Sequence, residues 1–119
     1  GGRSCASEIS LALEALSGKW AVPVLEGLYF TGGPGRFRAL QRRIGTISQK
    51  ELARQLHKLM EHRIVHRSAG GEATREVTYS LTESGLQLMY QHQGLCDWTK
   101  SNRERRSSPN GARWLALIP

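Results

Sequence analysis

The sequence has few cysteines and no long apolar run. Its two cysteines, Cys5 and Cys96, are too few for a disulfide framework and lack the close pairing of zinc ligands. No apolar run approaches the ~18 residues needed to cross a bilayer, and the amino terminus lacks the basic start and apolar stretch of a signal peptide. We therefore expect a cytoplasmic protein with no membrane partner, stabilised by side-chain packing.

Sequence motifs of catalysis are missing as well. There is no nucleophile elbow, glycine-rich phosphate loop or metalloprotease motif, and the ten acidic residues are too scattered to assign a catalytic pair. Aromatic residues make up only 7% of the chain and few lie among the basic residues, which disfavours stacking on RNA bases. These absences predict a protein that is not an enzyme and needs no cofactor.

The sequence does have the length of one domain and an uneven positive charge. A chain of 119 residues with 39% hydrophobic and 23% charged residues is typical of a single folded domain. The whole net charge of +7 lies between Arg36 and Arg67, where nine basic residues outnumber two acidic ones. A basic patch confined to one segment is typical of a protein that binds a polyanion.

Apolar residues at helical spacing predict three short helices in the first part of the chain. They cover residues 7–16, capped by Ser7, then 20–29 and 36–44, with glycine-rich residues 31–35 as a turn. Ser48 and Glu51 form a capping box that opens a fourth helix, in which the Ser48 hydroxyl accepts a free amide and Glu51 reaches back.

The fourth predicted helix has one apolar and one mostly basic face. At 100° per residue, Leu52, Leu56 and Leu59 fall on one side. The opposite side carries Lys50, Arg54, His57, Lys58 and Glu61. Two short helices joined by a turn, the second with a charged outward face, predict a helix-turn-helix.

A change from helical to alternating spacing after Arg63 predicts a β-hairpin. Its strands cover residues 64–68 and 74–81, and its turn contains Gly70 and Gly71. Thr82 then caps a helix from residue 83 to about 103. The predicted fold class is α+β, mainly α with a small β-hairpin: a winged helix-turn-helix over residues 5–103, then a tail at 104–119 of polar composition whose apolar residues 114–118 could dock.

A winged helix-turn-helix places its second helix in the major groove of DNA and its hairpin near the adjacent groove or backbone. Gln49, Lys50 and Arg54 are best suited to read bases, because Gln pairs with adenine and Arg or Lys with guanine. The residues expected at phosphates are Arg36, Arg38, Arg42, Arg43 and Lys58. Ser48 at the helix start and Arg75 on the hairpin complete the predicted DNA-binding set.

The sequence also resembles the HxlR-type winged-helix transcriptional regulators of bacteria and archaea. The matching residues include Cys5, Leu16-Ser17-Gly18-Lys19-Trp20, Arg36 with Phe37, and Tyr79-Ser80-Leu81-Thr82. The resemblance covers about four fifths of the chain. It implies homodimers that are built from the first and last helices and bind inverted repeats of double-stranded DNA. Two departures are Pro23, where a helix former is usual, and Arg63, where a glycine commonly precedes the hairpin.

Several members of the family sense oxidants or electrophiles through a cysteine near the amino terminus, and Cys5 lies at the matching position. Arg3 and the start of a helix both favour a thiolate there. The resemblance thus makes Cys5 a candidate redox-sensing residue, and an oxidant or small molecule a candidate effector. Packing of Cys5 as a small hydrophobic residue in the dimer contact is the alternative.

Two other functions remain open. His62 and His66, four residues apart and close to His57, are compatible with metal sensing, but the change from helix to strand breaks their shared face. We therefore expect no metal site. A winged helix can also serve protein contacts without DNA, although the basic face of the fourth helix argues against this. The sequence predicts a sequence-specific DNA-binding transcriptional regulator.

Overall fold

The computed structural model describes residues 5–70 and 76–107. In chain order its elements are α1 (Cys5–Leu16), α2 (Ala21–Thr31), β1 (Gly35–Arg36), α3 (Phe37–Ile44), α4 (Gln49–Glu61), β2 (Val65–Ala69), β3 (Val77–Leu81) and α5 (Glu83–Ser107). The predicted fold class, mainly helical with a small sheet, is confirmed. Sequence predictions for Arg3, Gly71, Arg75 and residues 114–118 lie outside the described residues.

The helices occur where the apolar spacing predicts them, with shifted ends. α1 begins at Cys5, so Ser7 lies inside the helix, and the prediction that it caps the helix is wrong. α2 takes Trp20 as its N-cap and Gly32 as its C-cap, and Gly32 adopts a left-handed φ of 75°. Pro23 is the third residue of α2, where its missing amide hydrogen costs no intrahelical bond. α5 continues to Ser107, beyond the predicted end near residue 103.

The sheet has one strand more than the predicted hairpin. Gly35, expected in a turn, forms β1 together with Arg36, and Gly35 lies opposite Tyr79 in an antiparallel pair. β3 pairs on its other side with β2, in a register that runs from Val65 opposite Leu81 to Ala69 opposite Val77. The strand order is β1-β3-β2, which attaches the hairpin to the start of α3.

The core of the helix-turn-helix is built from the apolar sides of α2 and α4. Its largest fully buried side chains are Leu25, Leu52, Leu56, Leu59 and Val24. The three leucines of α4 are thus buried as predicted, and each stabilises the fold by roughly 1.5–3 kcal/mol through removal of apolar surface from water. Because α2 packs on both α3 and α4, these contacts determine which face of α4 points outward.

The start of α5 lies very close to the base of the hairpin. The Thr82 hydroxyl accepts a hydrogen bond from the Gly85 amide at 3.0 Å and donates one to the Arg63 carbonyl at 2.7 Å. A Cβ at Gly85 would lie 2.3 Å from the Ile64 carbonyl oxygen, which leaves room only for glycine. Thr82 therefore caps α5, as predicted, and also ties it to the preceding turn.

Backbone contacts divide the chain into two compact units, with the boundary inside α5 between Gln87 and Leu88. The first unit contains α1 to α4, the sheet and the start of α5, and the second contains the rest of α5. Among the helices described, none combines the length and the apolar character that a membrane span requires.

Candidate nucleic-acid interface

The start of α4 is held by its N-cap. Ser48 has an extended backbone, and its hydroxyl oxygen accepts the Glu51 amide hydrogen at 3.1 Å, which confirms half of the predicted capping box. The Glu51 carboxylate points along the helix instead, where Oε1 accepts hydrogen bonds from Arg54 at 2.9 Å and Gln55 at 3.1 Å. The carboxylate thus accepts from a cationic donor, Arg54, and a second side-chain donor, Gln55, in place of the single predicted bond back to the Ser48 amide.

The pair of Glu51 and Arg54 organises the outward side of α4. The hydrogen bond from the Arg54 side chain, with a second from Gln55, holds the pKa of the Glu51 carboxyl below its ordinary value. Arg54 remains 72% exposed, and its guanidinium has five N–H donors. The pair therefore orients Arg54 while leaving most of its donors available to a ligand.

The outward faces of α3 and α4 carry exposed cations that form no ion pair or side-chain hydrogen bond within the described residues. Gln49 and Lys50 are exposed in the first turn of α4, and Arg38 and Arg42 are exposed on α3. No ion pair or side-chain hydrogen bond joins Arg38, Arg42 or Lys50 to another residue of the two described ranges. These three cations are free to meet a negatively charged ligand.

Three other residues of the predicted set have partners within the chain. Arg36 forms an ion pair with Glu76, which joins β1 to the residue before β3. The Arg43 guanidinium donates to the Phe30 carbonyl at 3.2 Å, and the Lys58 ammonium donates to the Ser17 carbonyl at 2.9 Å. Sequence spacing cannot distinguish these cations from the free ones, because their partners lie on other elements.

The structure also presents two polar residues that the sequence predictions left out. Arg67 is exposed on β2 opposite Tyr79, on a strand in which only Val65 is buried. Gln55 is 6% exposed on the leucine side of α4, and its Oε1 has no hydrogen-bond partner among the described residues. Position 55 lies next to Leu52 and Leu59 on the helical wheel, so the spacing of the leucines predicts that Gln55 is buried.

Cys5 and Cys96 are free thiols, the first exposed and the second half-buried. Cys5 opens α1 and lies four residues before Ile9, so both occupy one side of the helix. His57 lies 2.8 Å from Glu61 in an i, i+4 pair. Within residues 5–70 and 76–107, no group of three or more His, Cys, Asp or Glu could hold a metal ion.

Comparisons with known proteins agree with this geometry. Residues 15–107 match the family model described as HxlR-like helix-turn-helix. An uncharacterised HTH-type transcriptional regulator of Halalkalibacterium halodurans is 34% identical over 91 residues, which cover 76% of this chain and 80% of that protein.

Two solved structures are also similar. A MarR-family transcriptional regulator of Enterococcus faecalis has a TM-score of 0.80 at 27% identity, covering 89% of this chain and 94% of the other. Diamide-treated YodB of Bacillus subtilis has a TM-score of 0.70 at 31% identity, covering 85% of this chain and 96% of the other. The protein described here therefore belongs to the HxlR-like helix-turn-helix family of transcriptional regulators.

Proposed function

We propose that this protein is a cytoplasmic, sequence-specific regulator that binds inverted repeats of double-stranded DNA as a homodimer. The observation that carries the proposal is the exposed start of α4, where Gln49, Lys50 and Arg54 point away from the buried leucines. A recognition helix presents its amino-terminal residues to base edges in the major groove. Gln can pair with adenine and Arg or Lys with guanine, so these three residues read the sequence.

Phosphate contacts come from the elements around α4. Arg38 and Arg42 on α3 are exposed and unpaired within the described residues, and the first helix of a helix-turn-helix crosses the DNA backbone. Arg36 lies at the start of the same helix, and the Ser48 hydroxyl keeps its own hydrogen to donate. Arg75 belongs to this set on sequence grounds alone. Such contacts position the protein without reading sequence.

A homodimer follows from large apolar side chains left open to water. Ile9 and Leu13 of α1 are 53% and 57% exposed, and Tyr90 and Trp98 of α5 are 80% and 63% exposed. Exposed apolar patches on a folded domain are typical of protein interfaces. A second copy of the chain that covers the exposed side chains of α1, and separately those of α5, removes them from water and brings two recognition helices to one DNA.

Cys5 is proposed as the residue through which an oxidant or electrophile regulates DNA binding. Its thiol is free and exposed on α1, where an oxidant or electrophile can reach it. The family member YodB has been crystallised after treatment with the thiol oxidant diamide. DNA binding should change after diamide in the wild type and stay unchanged in Cys5→Ser; equal responses in both would exclude the switch.

The central test is selection of bound sequences from a random DNA pool, followed by affinity measurements on selected and random DNA. Arg54→Ala should weaken binding to selected DNA alone, by roughly 1–3 kcal/mol, because a base reader acts only at its own base. Arg42→Ala is the matched control and should weaken binding to both DNAs equally. If no sequence is enriched, the proposed function is wrong and a role in protein contacts takes its place.

A further inference from the structure

Two basic side chains of the helix-turn-helix donate hydrogen bonds to the carboxyl ends of helices that come earlier in the chain. Lys58, in the last turn of α4, donates from Nζ to the carbonyl oxygen of Ser17, which directly follows α1. Arg43, in the last turn of α3, donates from Nη2 to the carbonyl oxygen of Phe30 in the last turn of α2. Each bond therefore joins a DNA-facing helix to the end of a helix that precedes it in the chain.

The carboxyl end of a helix is a favourable place for a cation. Its last four carbonyl groups have no partner within the helix, and the helix dipole makes that end negative. A Lys or Arg side chain there gains both a hydrogen bond and a favourable charge interaction. Lys58 is half-buried whereas Lys50 on the same helix is exposed, and the Lys58 ammonium donates to the Ser17 carbonyl at the exposed edge of this contact.

We propose that Lys58 is a positioning residue, which fixes the carboxyl end of α4 on the end of α1 and so sets the angle at which α4 meets DNA. Arg43 acts in the same way for α3 on α2. This inference rests on the proposed DNA-binding function and moves Lys58 out of the phosphate-contacting set, whereas the exposed Arg43 keeps its remaining donors for a phosphate. The cations that meet DNA from α3, its N-cap and α4 are then Arg36, Arg38, Arg42, Arg43, Lys50 and Arg54.

The bond at Ser17 also connects two functional parts of the molecule. α1 carries Cys5 and the exposed side chain of Ile9, both on the side proposed for the dimer contact. The hydrogen bond joins Ser17, at the end of α1, to Lys58, in the last turn of α4. A movement of α1 therefore also moves the recognition helix. Lys58 thereby makes the pose of α4 depend on the dimer contact.

Salt dependence distinguishes a positioning residue from a phosphate contact. Lys58→Met removes the charge and keeps the length of the side chain, and Arg42→Met is the matched control. Affinities are measured from about 50 to 200 mM salt on an operator selected with the wild type and on random DNA. Arg42→Met should reduce the magnitude of the slope of log K against log salt concentration by about 0.9, because one phosphate contact is lost. It should weaken binding to both DNAs equally.

Lys58→Met should keep the wild-type salt dependence and weaken operator binding about fivefold more than random DNA binding, since a misplaced α4 loses base contacts. A reduced salt slope with equal loss on both DNAs would make Lys58 a phosphate contact and overturn the proposal. Unchanged affinity and slope would overturn it too. If the wild type binds the operator selectively, the proposed function stands whatever the Lys58 variant does. If the wild type selects no DNA, both the proposed function and this inference are wrong.

A measurement without DNA tests the bond itself. The Ser17 amide donates to the Glu14 carbonyl at 3.3 Å, so its hydrogen exchange reports on the end of α1. Hydrogen exchange of this amide should be faster in Lys58→Met than in the wild type or in Arg42→Met. Circular dichroism should show the same helix content in all three proteins. Lys58→Arg, which can still donate to Ser17, should restore slow exchange. Wild-type exchange rates in Lys58→Met would overturn the proposal.

Discussion

Arg63 adopts a backbone conformation that glycine usually supplies. Its φ of 59° is left-handed, and its amide donates to the Met60 carbonyl while the Ile64 amide donates to the Leu59 carbonyl. This pair of bonds is the Schellman ending of a helix, which places a left-handed residue directly after the C-cap. Glycine is the usual residue in such a left-handed position because it has no Cβ, whereas the Cβ of Arg63 incurs a steric penalty there.

Arg63→Gly should raise the free energy of unfolding by about 0.5–1 kcal/mol. Removing the Cβ relieves its steric clash, and this gain exceeds the entropy that glycine adds to the unfolded chain. Urea denaturation of the full chain measures the change. Arg63→Ala is the matched control and should stay close to the wild type, since it keeps the Cβ. A glycine variant less stable than the alanine variant would contradict this interpretation of the turn.

Gly85 is required by space rather than by its dihedral angle. In Gly85→Ala the new Cβ would lie 2.3 Å from the Ile64 carbonyl oxygen and 3.2 Å from Leu81, so backbone must move. We expect a loss of roughly 2–3 kcal/mol, seen as a lower melting temperature. Gly94→Ala, whose Cβ would meet nothing within 4 Å, should instead gain up to about 1 kcal/mol from helix propensity. Equal effects at both positions would exclude the steric explanation.

At the scale of elements, α4 is predicted best because its determinants are local. The Ser48 cap and the spacing of Leu52, Leu56 and Leu59 lie within three turns, so a wheel is sufficient to place them. The direction of the Glu51 carboxylate was predicted incorrectly, since several donors within reach compete for it. Short strand β1 has no pattern of its own and forms only because Gly35 pairs with Tyr79, 44 residues later.

The Glu51 hydrogen bonds make the stability of the protein depend on acid pH. Because the Arg54 and Gln55 side chains lower its pKa from 4.5, the folded chain binds this proton more weakly than the unfolded chain. The resulting stabilisation is present above the unfolded pKa and is lost as the pH falls below about 4.5, through the lowered folded value. Urea midpoints between pH 7 and 3 should fall less steeply in Glu51→Gln. Parallel curves for the two proteins would contradict the role of these bonds.

At the scale of the whole molecule, the exposed apolar side chains of α1 predict how the chain assembles. Ile9→Glu places a charge in the proposed dimer contact and should weaken dimerisation about a hundredfold, measured by sedimentation equilibrium. Leu11→Glu is the matched control, because Leu11 is 44% exposed on the other side of α1 and its variant should remain dimeric. Loss of the dimer in both variants, or in neither, would place the contact elsewhere.

The sequence alone determined the order of the helices and of the hairpin strands, the buried side of α4 and the segment that holds the positive charge. These depend on periodicity, capping and composition, which are properties of neighbouring residues. Only the tertiary structure decided which cations have a partner among the described residues and which have none there. Lys58 meets a carbonyl 41 residues away and Arg36 an acid 40 residues away, whereas Arg42 meets none of the described residues. The division of one basic segment into ligand-facing and structural residues follows from long-range packing, which no local pattern encodes.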